Sequence, residues 1–285
     1  MNCSRLLSVL IVALVLAVGC TSAPTSPNGT PPGPITGAVR PAADPSAALV
    51  RFTADVNATL QEMDRTLASA ATDLGRTGIA GPAANATLAR LAASSPHTTN
   101  AVTVTPEGRI AAVSAQNYGG VVGVSIANQT HVRQGLQERR PLMSQVFPAV
   151  EGFDAVVIQR PVTDGTGAFL GLVSVVFEPP LLLADSADRA LTGTNFTAWA
   201  MDTNALLIYD RDPGDLVGRN MITDPVYADY PELVTLVKRM LVEPAGTGTY
   251  SFTPTGGGSP VRKDAAWGTA GLHGTEWRLL VARED

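Results

Sequence analysis

Histidine is the side chain best suited to acid–base or metal chemistry near neutral pH. The sequence contains three, His97, His131 and His273, scattered along the chain. No His-Glu-x-x-His helix or other close ligand spacing joins them. We therefore expect no zinc site and no metal cofactor.

Other catalytic patterns do not emerge either. There is no Gly-x-Ser-x-Gly elbow, and Gly165-Thr166-Gly167 lies between two predicted strands, which indicates a hairpin turn. The acidic run 210–215 resembles a calcium loop, but Pro213 breaks the EF-hand spacing and no glutamate closes it. We predict a solvated turn there, no catalytic residues, no cofactor and no enzyme activity.

Composition and charge narrow the class of protein. The chain has 285 residues, 45% of them hydrophobic, which is typical of a globular protein. Its net charge is −5, and no run rich in Lys and Arg occurs. A nucleic acid is therefore not an expected partner.

Residues 1–20 are predicted to be an export signal. Arg5 precedes an apolar stretch, 6–18, of signal-peptide length. Leu16-Ala17-Val18-Gly19-Cys20 resembles the lipobox of prokaryotic lipoproteins, which implies lipidation of Cys20 after cleavage. The alternative is an uncleaved anchor helix, and in either case we expect the rest of the chain on the outer face of the cell membrane. Because Cys3 lies inside the signal, no disulfide is expected in the exported part.

Residues 21–45 are rich in Pro, Gly, Ser and Thr and are predicted to form a tether. Asn-x-Thr sequons, which accept N-linked glycans, recur along the exported part. They begin at Asn28, Asn57, Asn85, Asn128 and Asn195. They favour a glycosylated surface protein, and chance occurrence in a Thr-rich chain is the alternative.

A long amphipathic helix and a short helix are predicted within residues 46–96. Asp44 and Pro45 are suited to the start of the long helix. Apolar residues then recur at spacings of three, four or seven, at Phe52, Val56, Leu60, Met63, Leu67 and Leu74. Gly75 and Gly78 are expected to end this helix. Polar residues between the apolar positions of this helix predict a solvated face. They are Arg51, Asp55, Gln61, Asp64 and Arg65.

Two similar units follow, at 97–192 and 193–285. Each consists of a predicted hairpin, a helix and further antiparallel strands. The fold class is therefore predicted to be α+β, with a long N-terminal helix followed by two antiparallel-sheet units.

The sequence of these units resembles that of Cache domains, the PAS-like extracytoplasmic sensor modules of chemoreceptors and histidine kinases. In the first unit, Pro161-Val162-Thr163-Asp164 and then 167–173 are similar to the P-V-x-D … G-x-x-x-G-x-V strand pair. In the second, 201–213 and then 216–220 resemble the D-x-x-G-x-I-I-Y-x-x-D-P … I-G-x-N stretch. The closing strand pair, 267–281, has the expected glycine turn at Gly274.

This resemblance covers roughly residues 46–285 and implies a double Cache architecture. It further implies a small-molecule ligand in the first, membrane-distal unit, between the sheet and the helix and loops that cover one face. The pocket helix departs from many relatives, however. It reads Asn128-Gln129-Thr130-His131-Val132, without their arginine and aromatic residues, so an amino-acid or carboxylate ligand is not supported by the motif.

Within that implied pocket the candidate ligand-binding residues are Tyr118, His131, Arg133, Gln159 and Asp164. His131 can donate or accept a hydrogen bond, and Arg133 can pair with an anion. Because residues two apart do not share a helix face, we expect only one of them to point inward. Gln159 and Arg160 alternate along a strand and should face opposite sides of the sheet. For each candidate, an ordinary surface role is the alternative.

Two functions follow from these observations. The first is a lipid-anchored sensor or solute-binding module that recognises a small molecule and acts through a membrane partner, because the chain ends at Asp285 without a predicted signalling domain. It requires a partly polar pocket in the first unit. The second is a structural or interaction protein of the cell envelope, which requires an interior filled by Val, Leu and Phe. An apolar stripe left exposed on the long helix would favour a homodimer.

Overall fold

The computed structural model describes residues 44–114, 120–149, 152–212, 216–253 and 258–285. The predicted signal, Cys20, residues 21–43 of the predicted tether with Asn28, and Tyr118 lie outside the described residues. The last two residues of that predicted tether, Asp44 and Pro45, belong to the start of the first helix. Within the described ranges, no helix combines the length and hydrophobicity needed to cross a membrane.

The first element is the predicted long helix, α1, over Pro45–Thr77. Asp44 caps it by accepting a hydrogen bond from Ser46 N at 2.9 Å. It ends where Gly78, with φ +88°, donates its N–H to Leu74 O at 2.8 Å. Gly75 lies inside the helix and does not end it. A glycine is needed at this position because Thr163 O passes so close that a Cβ would sit 2.3 Å from it. A second helix, α2, spans Gly81–Ala93.

The first antiparallel sheet has the strand order β2-β1-β6-β5-β3, with β4 pairing on β5. Its strands are β1 (Thr98–Val104), β2 (Ile110–Val113), β3 (Leu142–Met143), β4 (Phe147–Pro148), β5 (Asp154–Thr163) and β6 (Phe169–Phe177). Helix α3 (Thr130–Glu138) covers one face, and α4 (Pro179–Ala190) leads out of the sheet.

The second antiparallel sheet has the order β8-β7-β11-β10-β9. Its strands are β7 (Thr197–Asp202), β8 (Leu207–Asp210), β9 (Gly246–Phe252), β10 (Val261–Leu272) and β11 (Thr275–Glu284). A 3₁₀ turn, Pro225–Tyr227, and helix α5, Pro231–Val242, cover one face. The predicted fold class, a long N-terminal helix and two antiparallel sheets, is therefore confirmed.

Helix α1 packs against both sheets. Its apolar residues from Phe52 to Leu74 share one buried cluster with Ile158 and Phe177 of the first sheet and Trp277 of the second. Among the described residues this apolar stripe is covered by the chain itself, so it offers no surface to a second copy. Homodimer formation therefore stays a prediction, and no exposed apolar stripe on α1 supports it among the described residues.

The opposite face of each sheet has its own apolar cluster. Below α5 the cluster includes Trp267, which is 1% exposed, and Met240. Trp267 and Trp277 are thus buried packing residues. Below α3 a smaller cluster contains Val104, Ile110, Ile126, Val132 and Leu172.

Replacing Leu60 by Ala should destabilise the fold by about 2–5 kcal/mol, because Leu60 is fully buried in the cluster that joins α1 to the sheets. Urea unfolding followed by circular dichroism measures this. The matched control is Gln61→Ala at the next, exposed position, which should change the free energy of unfolding by less than about 0.5 kcal/mol. Equal effects of the two substitutions would contradict the packing of α1.

Candidate functional site

Two of the predicted ligand-binding residues meet in the structure. Gln159, on β5, is 2% exposed and donates from Nε2 to the backbone oxygen of His131 on α3 at 2.9 Å. The approach is close enough that a Cβ on Gly135 would lie 1.8 Å from Gln159 Nε2. Gly135 therefore permits α3 to sit on β5, a requirement that the sequence motifs did not reveal.

The other described candidates lie elsewhere. Arg133 is exposed, and its guanidinium donates to Thr130 Oγ1 at 3.4 Å. Asp164 accepts from Thr166 N at 2.8 Å and Ala168 N at 2.9 Å, so it shapes the β5–β6 turn. As the helical spacing predicted, only His131 of the pair His131 and Arg133 is buried.

An apolar cluster of described residues lies between α3 and the first sheet. This cluster contains Val132 and Leu172, with Leu136 and Phe169 packed against its edge. Within the described residues, this is the apolar interior expected for a structural protein.

A cleft of about 730 Å³ opens beside this cluster, at the N-terminus of α3. Three segments form its walls: the start of α3, the β3–β4 region, and the turn between β10 and β11. The lining residues are Asn128, Gln129, Thr130, His131, Gln134, Arg140, Leu142, Met143, Ser144, Gln145, Val146, Phe147, Pro148, His273, Gly274 and Thr275. Both sheets therefore contribute to one cavity.

His131 is the buried polar side chain of α3 that faces this cleft. The residue is 9% exposed, and its ring lies 4.5 Å from the Phe147 ring, centre to centre. Burial alone lowers its pKa to about 4, so the imidazole is neutral at pH 7. No group among the described residues hydrogen-bonds to the ring, which leaves its donor and acceptor open to the cleft.

The β10–β11 turn reaches the first sheet through a specific contact. His273 has φ +52° and Gly274 φ +89°, the pair of positive values that a tight two-residue hairpin turn requires. The next residue, Thr275, donates from Oγ1 to Met143 O on β3 at 2.6 Å. The second sheet is thereby held against a wall of the cleft.

A charged cluster anchors the same turn to α1. Asp64 accepts two hydrogen bonds from Arg160 on β5, at 2.8 and 2.7 Å. His273 Nε2 lies 3.0 Å from Asp64 Oδ1, in a close contact that lacks the alignment of a hydrogen bond. The two arginine hydrogen bonds and the histidine outweigh burial and hold the pKa of Asp64 below its usual range.

The prediction that Asp64 belongs to a solvated face was wrong. Asp64 is 8% exposed because it follows Met63 on the covered side of α1 and meets Arg160 there. Arg160 and Gln159 do face opposite sides of the sheet, as their alternation predicted. A lone carboxylate bordering an apolar stripe was the available signal for this buried pair.

Four of the predicted sequons lie within the described residues. Asn85, Asn128 and Asn195 are exposed, and Asn128 borders the cleft. Asn57 is half-buried on α1, and its Oδ1 accepts from Gly271 N at 3.0 Å. Their glycosylation stays a prediction. Across the described ranges, no three His, Cys, Asp or Glu side chains form a group that could hold a metal ion.

Comparison with known proteins places this geometry in a recognisable fold. Residues 58–179 match the family model described as the sensor domain of HK/GC/chemotaxis-like proteins. No curated protein sequence shows significant similarity to the chain.

Solved structures give the same fold. The chain is 28% identical to an extracellular ligand binding receptor from Desulfohalobium retbaense, with a TM-score of 0.69 over 82% of this chain and 39% of that one. It therefore spans about two fifths of that receptor. The extracellular domain of the putative histidine kinase rpHK1S-Z16 matches at 16% identity and TM-score 0.63, over 84% of this chain and 92% of that one.

A third structure is the ligand-binding domain of the Pseudomonas aeruginosa amino acid chemoreceptor PctC, solved with GABA. It is 14% identical, with a TM-score of 0.56, over 82% of this chain and 96% of that one. The chain thus has the fold of the extracellular sensor domains of chemoreceptors and histidine kinases, and residues 58–179 match such a domain in sequence.

We expect NMR titration of the His131 imidazole to give a pKa of about 4. The unfolded chain takes up this proton near pH 6.5, before the folded chain does, so stability should fall as the pH drops from about 6.5 towards 4. His131→Phe, which keeps an aromatic ring against Phe147, should remove that part of the pH dependence. A His131 pKa near 6.5 would show that the ring is not buried.

Arg160→Met should destabilise the fold by about 1–3 kcal/mol at pH 7, because it leaves the Asp64 carboxylate buried without its main partner. The folded pKa of Asp64 is depressed, so this stabilisation is present above the unfolded value of about 3.9 and disappears as the pH falls below it. The loss caused by Arg160→Met should therefore shrink in acid.

The control for that experiment is Arg65→Met, at the position directly after Asp64 in α1. The Arg65 side chain is 74% exposed and pairs with Glu62, so its removal should change stability by less than about 0.5 kcal/mol at any pH. A pH-independent loss for Arg160→Met would indicate lost packing and not a charge pair.

Proposed function

We propose that the chain is an extracytoplasmic, lipid-anchored sensor or solute-binding module that recognises a small molecule and acts through a membrane partner. The observation that carries the proposal is the cleft at the start of α3, which holds a buried imidazole without a partner among the described residues. Its volume of about 730 Å³ is in the range of small-molecule sites. The similarity to sensor domains, one of which was solved with GABA, supports the same function.

The proposed ligand site differs from the interior implied by the Cache resemblance. Between α3 and the first sheet the described side chains are packed together, whereas the cleft beside them is open. Of the candidates, His131 lines this cleft, Gln159 holds α3 in place, and Arg133 and Asp164 are engaged outside it.

The proposed action through a membrane partner is supported by the way in which both sheets line the cleft. Since the β10–β11 turn forms one of its walls, a ligand there contacts both sheets at once. Lipidation of Cys20 would hold the module at the membrane surface, and the Pro-rich tether would give it reach.

The alternative, a structural or interaction protein of the cell envelope, has one observation in its favour. The apolar cluster below α3 supports it, because this alternative requires an interior filled by Val, Leu and Phe. The two proposals differ in whether the cleft takes a ligand.

Thermal unfolding of the full chain against amino acids, carboxylates, amines, purines and sugars separates them. A ligand at a hundred times its dissociation constant should stabilise the fold by about 2.7 kcal/mol. Gln145→Trp places a large ring in the cleft from an exposed position and should abolish this effect. Gln137→Trp, exposed on α3 but outside the cleft, is the matched control and should retain it.

Two outcomes of the thermal unfolding experiment would contradict the proposed ligand site. If no compound raises the melting temperature, the structural alternative is favoured. A stabilising compound that acts equally on Gln145→Trp would move the ligand site away from the cleft.

A further inference from the structure

The charges around the cleft suggest which class of ligand it takes, an inference that rests on the proposed function. No Asp or Glu occurs among the described residues that line it. The arginine that lines it already has a partner, since Arg140 Nε lies 2.5 Å from Glu138. The walls therefore offer a cationic ligand group no carboxylate with which to pair.

The N-terminus of α3 offers the opposite charge preference. Gln129 is the N-cap residue, and its side chain makes no capping hydrogen bond within the described chain. The helical bonds begin with Arg133 N donating to Gln129 O at 3.1 Å, so the N–H groups of residues 130–132 stand outside the helical ladder. Such a terminus carries a partial positive charge and favours an anion.

A second, independent feature points to a ligand at the same place. His131 is 91% buried by its 9% exposure, yet its ring faces the cleft without a hydrogen-bond partner among the described residues. The ring nitrogens are not among the buried atoms without a partner, so they are accessible from the cleft and free to bond a ligand there. The pKa of the ring is lowered by burial alone, with no nearby carboxylate raising it.

We propose that the cleft binds a small anion without a cationic group, such as a carboxylate, which accepts from the N–H groups at the start of α3 and from the ring of His131. An amino acid brings an ammonium group as well, and this group would be desolvated beside walls that carry no acidic residue. The motif at 128–132 gave no support for a carboxylate ligand, and it is the helix geometry that supplies it.

Matched ligand pairs test the class. Isothermal titration of the full chain compares butyrate with 4-aminobutyrate and succinate with aspartate, and inorganic phosphate distinguishes a general anion site from a carboxylate site. We expect at least one of the carboxylates to bind. Its amino analogue should have an affinity lower by a factor of about ten or more.

A proline substitution tests the backbone contact without disturbing the helix. Thr130 is the first helical residue, where proline is tolerated, and Gln129 already has φ −70° and ψ 135°, the conformation that precedes proline. Thr130→Pro removes one N–H and should weaken the anion about fivefold with an unchanged melting temperature. Thr130→Ala, which keeps the N–H, should bind as the wild type does.

Substitution of His131 gives a second route if Thr130→Pro alters the helix. His131→Phe retains the ring against Phe147 but not the donor, and it should lose about tenfold in affinity, whereas His131→Asn should retain part of it. Binding that survives Thr130→Pro, His131→Phe and Gln145→Trp alike would be adventitious and would overturn the inference.

The binding results distinguish a failure of the proposed anion class from a failure of the proposed sensor function. Equal binding of butyrate and 4-aminobutyrate, or a purely cationic or neutral ligand blocked by Gln145→Trp, overturns the anion class and leaves the sensor function standing. If no compound of any class binds the wild type, both fail.

Discussion

The structure depends on how one carboxylate is buried on the long helix. An amphipathic helix of 33 residues, about 50 Å long, presents a stripe of Leu, Val, Met and Phe that would pack against a sheet in several alignments. Asp64 removes that freedom, because its charge is stable only where Arg160 of the first sheet and His273 of the second sheet both reach it. The pairing thus sets the rotation of α1 about its axis and its position relative to both sheets.

The position of the cleft follows from the same contact. With His273 held beside Asp64, the left-handed backbone at His273 and Gly274 directs Thr275 towards β3, where it donates to Met143 O. A wall of the cleft is therefore supplied by the second sheet, although the buried imidazole belongs to the first. Any ligand in the cleft is in contact with an element that continues directly into β11, the central strand of the second sheet.

The sequence was most informative where one local period was enough. The spacing from Phe52 to Leu74 predicts α1 because a covered helix face repeats every three or four residues, and the alternation at Gln159 and Arg160 predicts opposite faces of a strand. It failed where a contact joins distant segments. Nothing near Asp64 in the sequence identifies Arg160, 96 residues away, and the cleft is formed by three segments whose proximity depends on both sheets. Gly135 has meaning only once Gln159 is placed beneath it.

The distribution of aromatic residues has a consequence for how the molecule can be observed. All three tryptophans, Trp199, Trp267 and Trp277, lie on strands of the second sheet, and each is at most 5% exposed. The tryptophan fluorescence of the protein, excited selectively over tyrosine, is therefore an optical signal of the second sheet. Trp277 also packs edge-on against Phe177 of the first sheet, with ring centres 6.4 Å apart, so its emission is sensitive to any shift between the two sheets. The chain therefore carries its own spectroscopic label in the second sheet, whose β10–β11 turn forms a wall of the cleft.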